Sequence, residues 1–381
     1  MKLFNSLTKT KETFASLQPN KVTMYVCGIT PYDTTHLGHA FTYTIFDVLY
    51  RFLKFQNYQV NYTQNVTDID DDILKKAKQI GKDWQKLGTF WTDKYRDDMR
   101  ILNNIAPTHY AKASETMPTI IDIIKKLMID GFAYEKNGNV YFLVQKNPDY
   151  GKLSKYNREK MIQLSKERGA NPDDQNKKDP LDFILWQKSK PKEPFWESPW
   201  GKGRPGWHIE CSAMVYKYLG KKIDIHGGGT DLIYPHHESE IAQSEQFTRE
   251  KPFCQFWMHV GMVGYQGEKM SKSLGNLVMV SDLLKTYSPN AIRYLLLSHH
   301  YRDPWEYYQE ELDKAAETIQ MIEEEIRKIP NNQKAESLES FSDALSDDLN
   351  IPKALKVLSK TSQEENANVT KRMLKILGFI V

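Results

Sequence analysis

The stretch VTMYVCGITPYDTTHLGHAFTYTIFDVLYRFLKF, succeeded by YQVNYTQNVTDIDD, constrains the fold more than any other part of the chain. VTMYV is a short β-rich run, and Gly28 and Pro31 punctuate the segment after it. Beyond Gly38 the apolar residues Tyr43, Phe46, Leu49 and Leu53 recur at helical spacing. YQVNYTQNV then alternates like a strand. Strand, helix, strand is the unit of a parallel α/β sheet, and such sheets bind ligands at the carboxyl ends of their strands.

The remaining segments fit around that unit. Residues 76–134 read as mostly helical, and NGNVYFLV as a strand behind an Asn-Gly turn. The stretch 147–205 is loop-rich, with many Lys, Pro and Trp residues. KKIDIHGGGTDLIY reads as strand, glycine turn and helix start near His236, and QFWMHVGMVGY as a further strand. A helical region begins near Pro289. Leu312, Ala315, Ile319, Ile322 and Ile326 then mark one amphipathic helix. NNQKAESLES reads as a polar linker, and SDALSDDLNIPKALKVL as the opening of another helical pair.

With 381 residues, 40% hydrophobic and 27% charged, the chain suits a soluble globular protein of two or three domains. A net charge of +3 leaves no large basic arm for a polyanion, although a local basic face stays open. Neither a signal peptide nor a membrane-spanning run is visible. Cys27, Cys211 and Cys254 are too few and too scattered for a disulfide framework, and a reducing cytoplasm fits them.

Two short motifs carry phosphate chemistry. His36-Leu37-Gly38-His39 comes after the first strand and opens a helix, where unpaired N–H groups and the positive dipole end attract anions. Gly38 lets a nucleotide lie close to the backbone, and the two imidazoles can donate to phosphate oxygens. Lys269-Met270-Ser271-Lys272-Ser273 lies far downstream, with Gly264, Gly267 and Gly275 around it. Lys269 and Lys272 can neutralise charge on a departing pyrophosphate. Either motif alone could be an ordinary helix start or a solvated turn. In this order, each after a strand, they resemble the paired signatures of class I aminoacyl-tRNA synthetases. That resemblance places the adenosine of ATP on HGGGTD, with Gly228, Gly229 and Gly38 close to the nucleotide, Lys272 on its phosphates and Asp231 on the ribose hydroxyls.

Cys27, Cys211, His236 and Glu240 form a credible zinc set, the last two being four residues apart. As spacing alone the pattern is weak, and two buried cysteines beside a surface H-x-x-x-E is the default reading. YVCG, NVTDIDDDI, LWQKSKP, GRPGWHIECSAM, HGGGTD, PHHESEIAQS, GEKMSKSLGN and DDLNIPKAL together resemble the cysteinyl-tRNA synthetase family. The resemblance implies that those four positions hold one Zn²⁺, which binds the substrate thiolate. It further implies that Gly28, Thr67 and Trp207 line the cysteine pocket, and that Mg²⁺ accompanies ATP. His237 is read as a supporting or structural residue beside the ligands.

The implied fold class is α/β, a class I synthetase Rossmann-like domain with an inserted subdomain and a C-terminal helical bundle. The expected boundaries are 1–75 and 177–262 for the catalytic halves and 76–176 for the insertion. Residues 263–304 form the KMSKS loop and linker, and 305–381 a truncated bundle. A full-length family member continues into an anticodon-binding domain, which this sequence is expected to lack. The implied partners are ATP, L-cysteine and the acceptor end of tRNA(Cys), with the chain acting as a cytoplasmic monomer. GITPYDTTHLGHA, REKMIQLSKERGANPDD and GMVGYQGEKMSKS look more like mycothiol cysteine ligase, whose acceptor is the amine of glucosaminyl-inositol. His226 and Glu240 match the tRNA ligase pattern instead. A non-catalytic paralogue that binds cysteine or adenylate is the remaining alternative.

Overall fold

In a computed structural model, whose described residues are 1–32, 35–270, 275–328, 338–364 and 366–381, the chain begins with the expected unit. The strand Lys21–Ile29 leads into the helix Leu37–Phe55 and returns as the strand Gln59–Val66, parallel to the first. Tyr43, Phe46, Leu49 and Leu53 are all buried, so the helical stripe is the packed face. Phe46 packs directly on the sheet backbone at Gly227, where a Cβ would sit 2.0 Å from the ring.

Among the described residues the central sheet has five strands, in the order Cys254–Val260, Ile223–Gly229, Lys21–Ile29, Gln59–Val66, His109–Lys112. Every neighbouring pair is parallel. Strand order reverses between Ile223–Gly229 and Lys21–Ile29, and a crevice forms beyond the strand carboxyl ends at such a switch point. The edge strand His109–Lys112 lies within residues 76–134, otherwise occupied largely by the helices Asp71–Gln79, Trp84–Ile101 and Met117–Ile129. Four residues between helices are too few to display a strand period in the sequence.

Residues 133–205 carry an antiparallel sheet made of Ala133–Lys136, Asn139–Phe142, Phe183–Lys188 and Gly203–Pro205. Asn137 and Gly138, at φ 56° and 84°, make the tight turn that Asn-Gly favours. The helix Arg158–Glu167 interrupts the stretch read as loop. Its N-cap is the Asn157 side chain, which accepts from the Lys160 N–H, and it buries only Met161 and Ser165. So short an apolar face leaves little periodicity to read.

The chain that follows the second motif is joined through the backbone to the first. The Leu37 N–H donates to the Val278 carbonyl at 2.9 Å, and the Val280 N–H donates to the Thr35 carbonyl at 3.0 Å. The chain returning after the KMSKS segment is thereby laced onto the start of the first helix. Beyond it come the helices Pro289–Leu297, Gln309–Lys328, Glu339–Ser346, Ile351–Gln363 and Ala367–Ile376. Leu312, Ala315, Ile319, Ile322 and Ile326 are the buried residues of the second of these, as their spacing predicts. Residues 331–337 of the stretch read as a polar linker lie outside the described residues. No described helix is long and apolar enough to cross a membrane.

One buried cation binds this C-terminal region to the sheet half. Arg293 is 1% exposed and ion-paired to Asp47 of the first helix, itself 2% exposed. It also donates to the Leu377 carbonyl at 2.6 Å, the Leu102 carbonyl at 2.8 Å and Asn104 Oδ1 at 2.7 Å. Asp47 accepts further from Arg51 Nε at 2.9 Å and from the Ile105 N–H at 2.8 Å. Removing the guanidinium leaves these acceptors buried, so Arg293→Met is expected to lower the unfolding free energy by about 3 kcal/mol in urea titrations. A loss below about 1 kcal/mol would show that the node is dispensable.

Candidate active site

The carboxyl ends of the central strands open onto a cleft of about 420 Å³. It is lined by Cys27, Gly28, His36, Gly38, His39, Thr67, Trp207, Cys211, Gly229, Asp231 and His236, all singled out in the sequence. Gly228 lies just behind, where a Cβ would come within 3.5 Å of Cys27 Cβ and 3.2 Å of the His237 ring. Glu240 is fully buried beneath the lining. Lys269 closes the short strand Glu268–Lys269, while its side chain and Lys272 lie outside the described residues.

The floor of the cleft is made by two strand ends. Pairing between Lys21–Ile29 and Gln59–Val66 is interrupted between Val26 and Ile29, which takes Cys27 out of the regular ladder. The backbones come so close there that a Cβ on Gly28 would lie 1.6 Å from the Asn65 carbonyl oxygen. The Asn65 side chain fixes the approach. Its Oδ1 accepts from the Gly28 N–H at 2.7 Å and its Nδ2 donates to Thr67 Oγ1 at 3.1 Å.

His36 is the N-cap of the first helix. Its Nδ1 accepts from the Gly38 N–H at 3.1 Å, and His39 Nδ1 accepts from the His36 N–H at 3.5 Å. This is a reciprocal capping box built from two histidines. Both rings are oriented through Nδ1, with centroids 3.7 Å apart.

Cys27, Cys211, His236 and Glu240 are far apart in the chain, yet each offers a ligand atom within 4.8 Å of the others. Cys211 belongs to the helix Trp207–Tyr218, and Glu240 to the first turn of the helix Glu238–Thr248. The two sulfurs are 4.0 Å apart. Tetrahedral zinc with Zn–S bonds of about 2.3 Å separates its ligand sulfurs by roughly 3.8 Å, so the donor set fits that ion. A second group, Cys27, His226, His237 and Glu240, meets the same distance test. Cys27, Cys211 and His236 face the cleft, whereas His226 and His237 are fully buried. Of these two groups, the first is the one that could hold a metal with a position open to a ligand in the cleft.

Charge in this centre is distributed unevenly. Burial opposes the Glu240 carboxylate, but His226 and His236 outweigh it and hold its pKa at about 2. His226 Nε2 lies 3.0 Å from one carboxylate oxygen and His236 Nε2 3.1 Å from the other. Burial likewise opposes the His236 cation, yet Cys211 and Glu240 lift its pKa to about 10. Burial also works against the Cys211 thiolate, and the hydrogen bond from Cys27, together with His236, brings that pKa down to about 6. Cys27 is pushed well up, by burial first and then by Cys211. A metal that takes both sulfurs must displace the Cys27 proton, which burial holds in place.

A relay of buried groups backs Cys27. Ser6 Oγ lies 2.8 Å from His259 Nδ1, His259 Nε2 is 2.8 Å from His237 Nδ1, and His237 Nε2 is 3.2 Å from Cys27 Sγ. Burial keeps both histidines neutral, bringing His259 down to about 3 and His237 well below its ordinary value. Each neutral ring carries one proton, so the hydrogen bonds run in a single sense along the row, from Ser6 to Cys27 or back. Sequence reasoning missed Ser6 and His259. Nothing local marks them, since they are 253 residues apart in the chain. Trp207 stacks on His236 at 4.3 Å, and Trp257 on His226 at 4.4 Å.

Comparison with known proteins gives the family. The family model described as the class I (C) catalytic domain of tRNA synthetases matches residues 13–317. A cysteine–tRNA ligase of Legionella pneumophila (strain Paris) is 45% identical over 391 residues, covering 99% of this chain and 85% of that protein. One from Thermococcus onnurineus is 44% identical, covering 97% and 81%. Among solved structures, methionyl-tRNA synthetase of Mycobacterium tuberculosis in complex with methionyl-adenylate superposes with a TM-score of 0.66 at 15% identity, covering 94% of this chain and 90% of that one. A leucyl-tRNA synthetase of Agrobacterium radiobacter K84 gives 0.62 at 10% identity over 96% and 84%. The structural likenesses establish the α/β class I fold, and the sequence relatives narrow it: the chain belongs to the cysteine–tRNA ligase family of class I tRNA synthetases.

Proposed function

We propose that the protein activates L-cysteine with ATP to cysteinyl adenylate and transfers the cysteinyl group to the 3′ end of tRNA(Cys). The observation that carries this reading is the buried Cys27–Cys211–His236–Glu240 group opening into the same cleft as His36, His39 and Asp231. Zinc held there would offer a ligand position to the thiolate of cysteine, for which the neutral hydroxyl of serine is a far poorer donor.

The chain's own residues do the rest. Thr67 and Gly28, fixed through Asn65, form the floor on which the amino acid lies, and Trp207 walls it beside His236. Asp231 accepts from the ribose hydroxyls, while Gly38 and Gly229 leave room for the nucleotide. His36 and His39 are oriented through Nδ1, so Nε2 is the atom each presents to phosphate oxygens. The carboxylate of cysteine attacks the α-phosphorus, and pyrophosphate leaves with its charge offset by Lys269 and Lys272; Mg²⁺ bound with ATP would share that charge. A ribose hydroxyl at the tRNA 3′ end then attacks the carbonyl carbon, and AMP departs. No protein nucleophile takes part.

Purified protein is expected to carry stoichiometric zinc by atomic absorption and to catalyse cysteine-dependent pyrophosphate exchange. Cysteine should exceed serine by about 10⁴ in kcat/KM. Cys211→Ala should lose both the metal and the exchange, and full exchange without zinc would sink the reading. Charging of a tRNA(Cys) transcript, compared with ligation to glucosaminyl-inositol, tests the acceptor. Product formed on the amino-sugar alone would transfer the proposal to that ligase.

A further inference from the structure

Arg168 enters the cleft from outside the strand ends. It is the C-cap of the helix Arg158–Glu167, which belongs to the 133–205 region rather than to the central sheet. Among the described residues that line the cleft, it is the one Arg or Lys. Its Nη1 lies 3.5 Å from Asp231 Oδ2, with the two side chains 31% and 27% exposed. Asp231 Oδ1 is turned back toward Gly229, where a Cβ would meet it at 2.5 Å. The carboxylate oxygen toward Arg168 is therefore the other one, Oδ2.

This arrangement has a specific electrostatic problem to solve. A carboxylate that grips ribose hydroxyls stands within a Debye length of the 5′-phosphate on the same sugar, and the two anions repel. A guanidinium within reach of both offsets that repulsion, and its planar fork suits phosphate and carboxylate alike. Arginine has the length to pass from one to the other by a change of rotamer. We infer that Arg168 is a nucleotide-binding residue, paired with Asp231 when the site holds no nucleotide and with the 5′-phosphate when it does. The inference rests on the proposed function, in that it takes Asp231 as the ribose acceptor. It adds that the helix Arg158–Glu167 supplies part of the ATP site.

The test compares AMP with adenosine, which differ by the phosphate alone. By titration calorimetry, Arg168→Met is expected to weaken AMP about tenfold or more while adenosine binds as in the parent protein or tighter. Arg168→Lys should recover part of the AMP affinity. Circular dichroism and the unfolding midpoint should match the parent, since Arg168 sits at a partly exposed helix end. If Arg168→Met does not fold, the same comparison is read from Arg168→Lys and Arg168→Gln. Unchanged AMP affinity overturns the inference. So does an equal loss for both ligands, which would mean that Arg168 only orients Asp231. A parent protein that binds neither ligand and shows no cysteine-dependent pyrophosphate exchange removes the proposed function as well. Normal exchange with an unaltered ratio of AMP to adenosine affinity removes this inference alone.

Discussion

The contact between Arg293 and Asp47 sets the position of the helix on which the cleft depends. That helix presents His36 and His39 at its start, carries Phe46 against Gly227, and offers Asp47 farther along. Arg293 ties it to the C-terminal helices through the Leu377 carbonyl and to the end of Trp84–Ile101 through the Leu102 carbonyl. A guanidinium suits this task because it serves several acceptors in one plane. Directed bonds from one guanidinium to carbonyls on two other elements add to the packing of the helix's buried face.

The second constraint is Glu240. A fully buried carboxylate is costly unless it is paired, and here His226 and His236 hold its two oxygens. Cys211 and Glu240 together make His236 basic, and the hydrogen bond from Cys27, with His236, lowers the Cys211 pKa against burial and Glu240. The centre is thus charged in the protein itself. Its hydrogen bonds orient the sulfurs at a separation that suits a tetrahedral ion.

Much of this was legible in the sequence, and the limits have physical causes. The first strand–helix–strand unit and the stripe from Leu312 to Ile326 are local periodic signals that the core then uses. HLGH and HGGGTD are contiguous, so their positions at strand ends could be read directly. His236 and His237 could not be told apart by spacing. Extended backbone at Tyr234, φ −140° and ψ 135°, precedes the turn that sends one ring to the cleft and the other inward. Arg168 was hidden in a stretch that read as loop because its helix buries so little. The strand His109–Lys112 was hidden because pairing partners, not its own four residues, define it.

The relay from Ser6 to Cys27 bears on the order in which the molecule can be completed during translation. Its members are drawn from near the amino terminus and from as late as His259, and both ends must be present before His237 is held. A nascent chain that has not yet released His259 from the ribosome cannot form the finished relay. His259 belongs to Cys254–Val260, an outer strand of the central sheet, so the relay closes only once that sheet has its last strand.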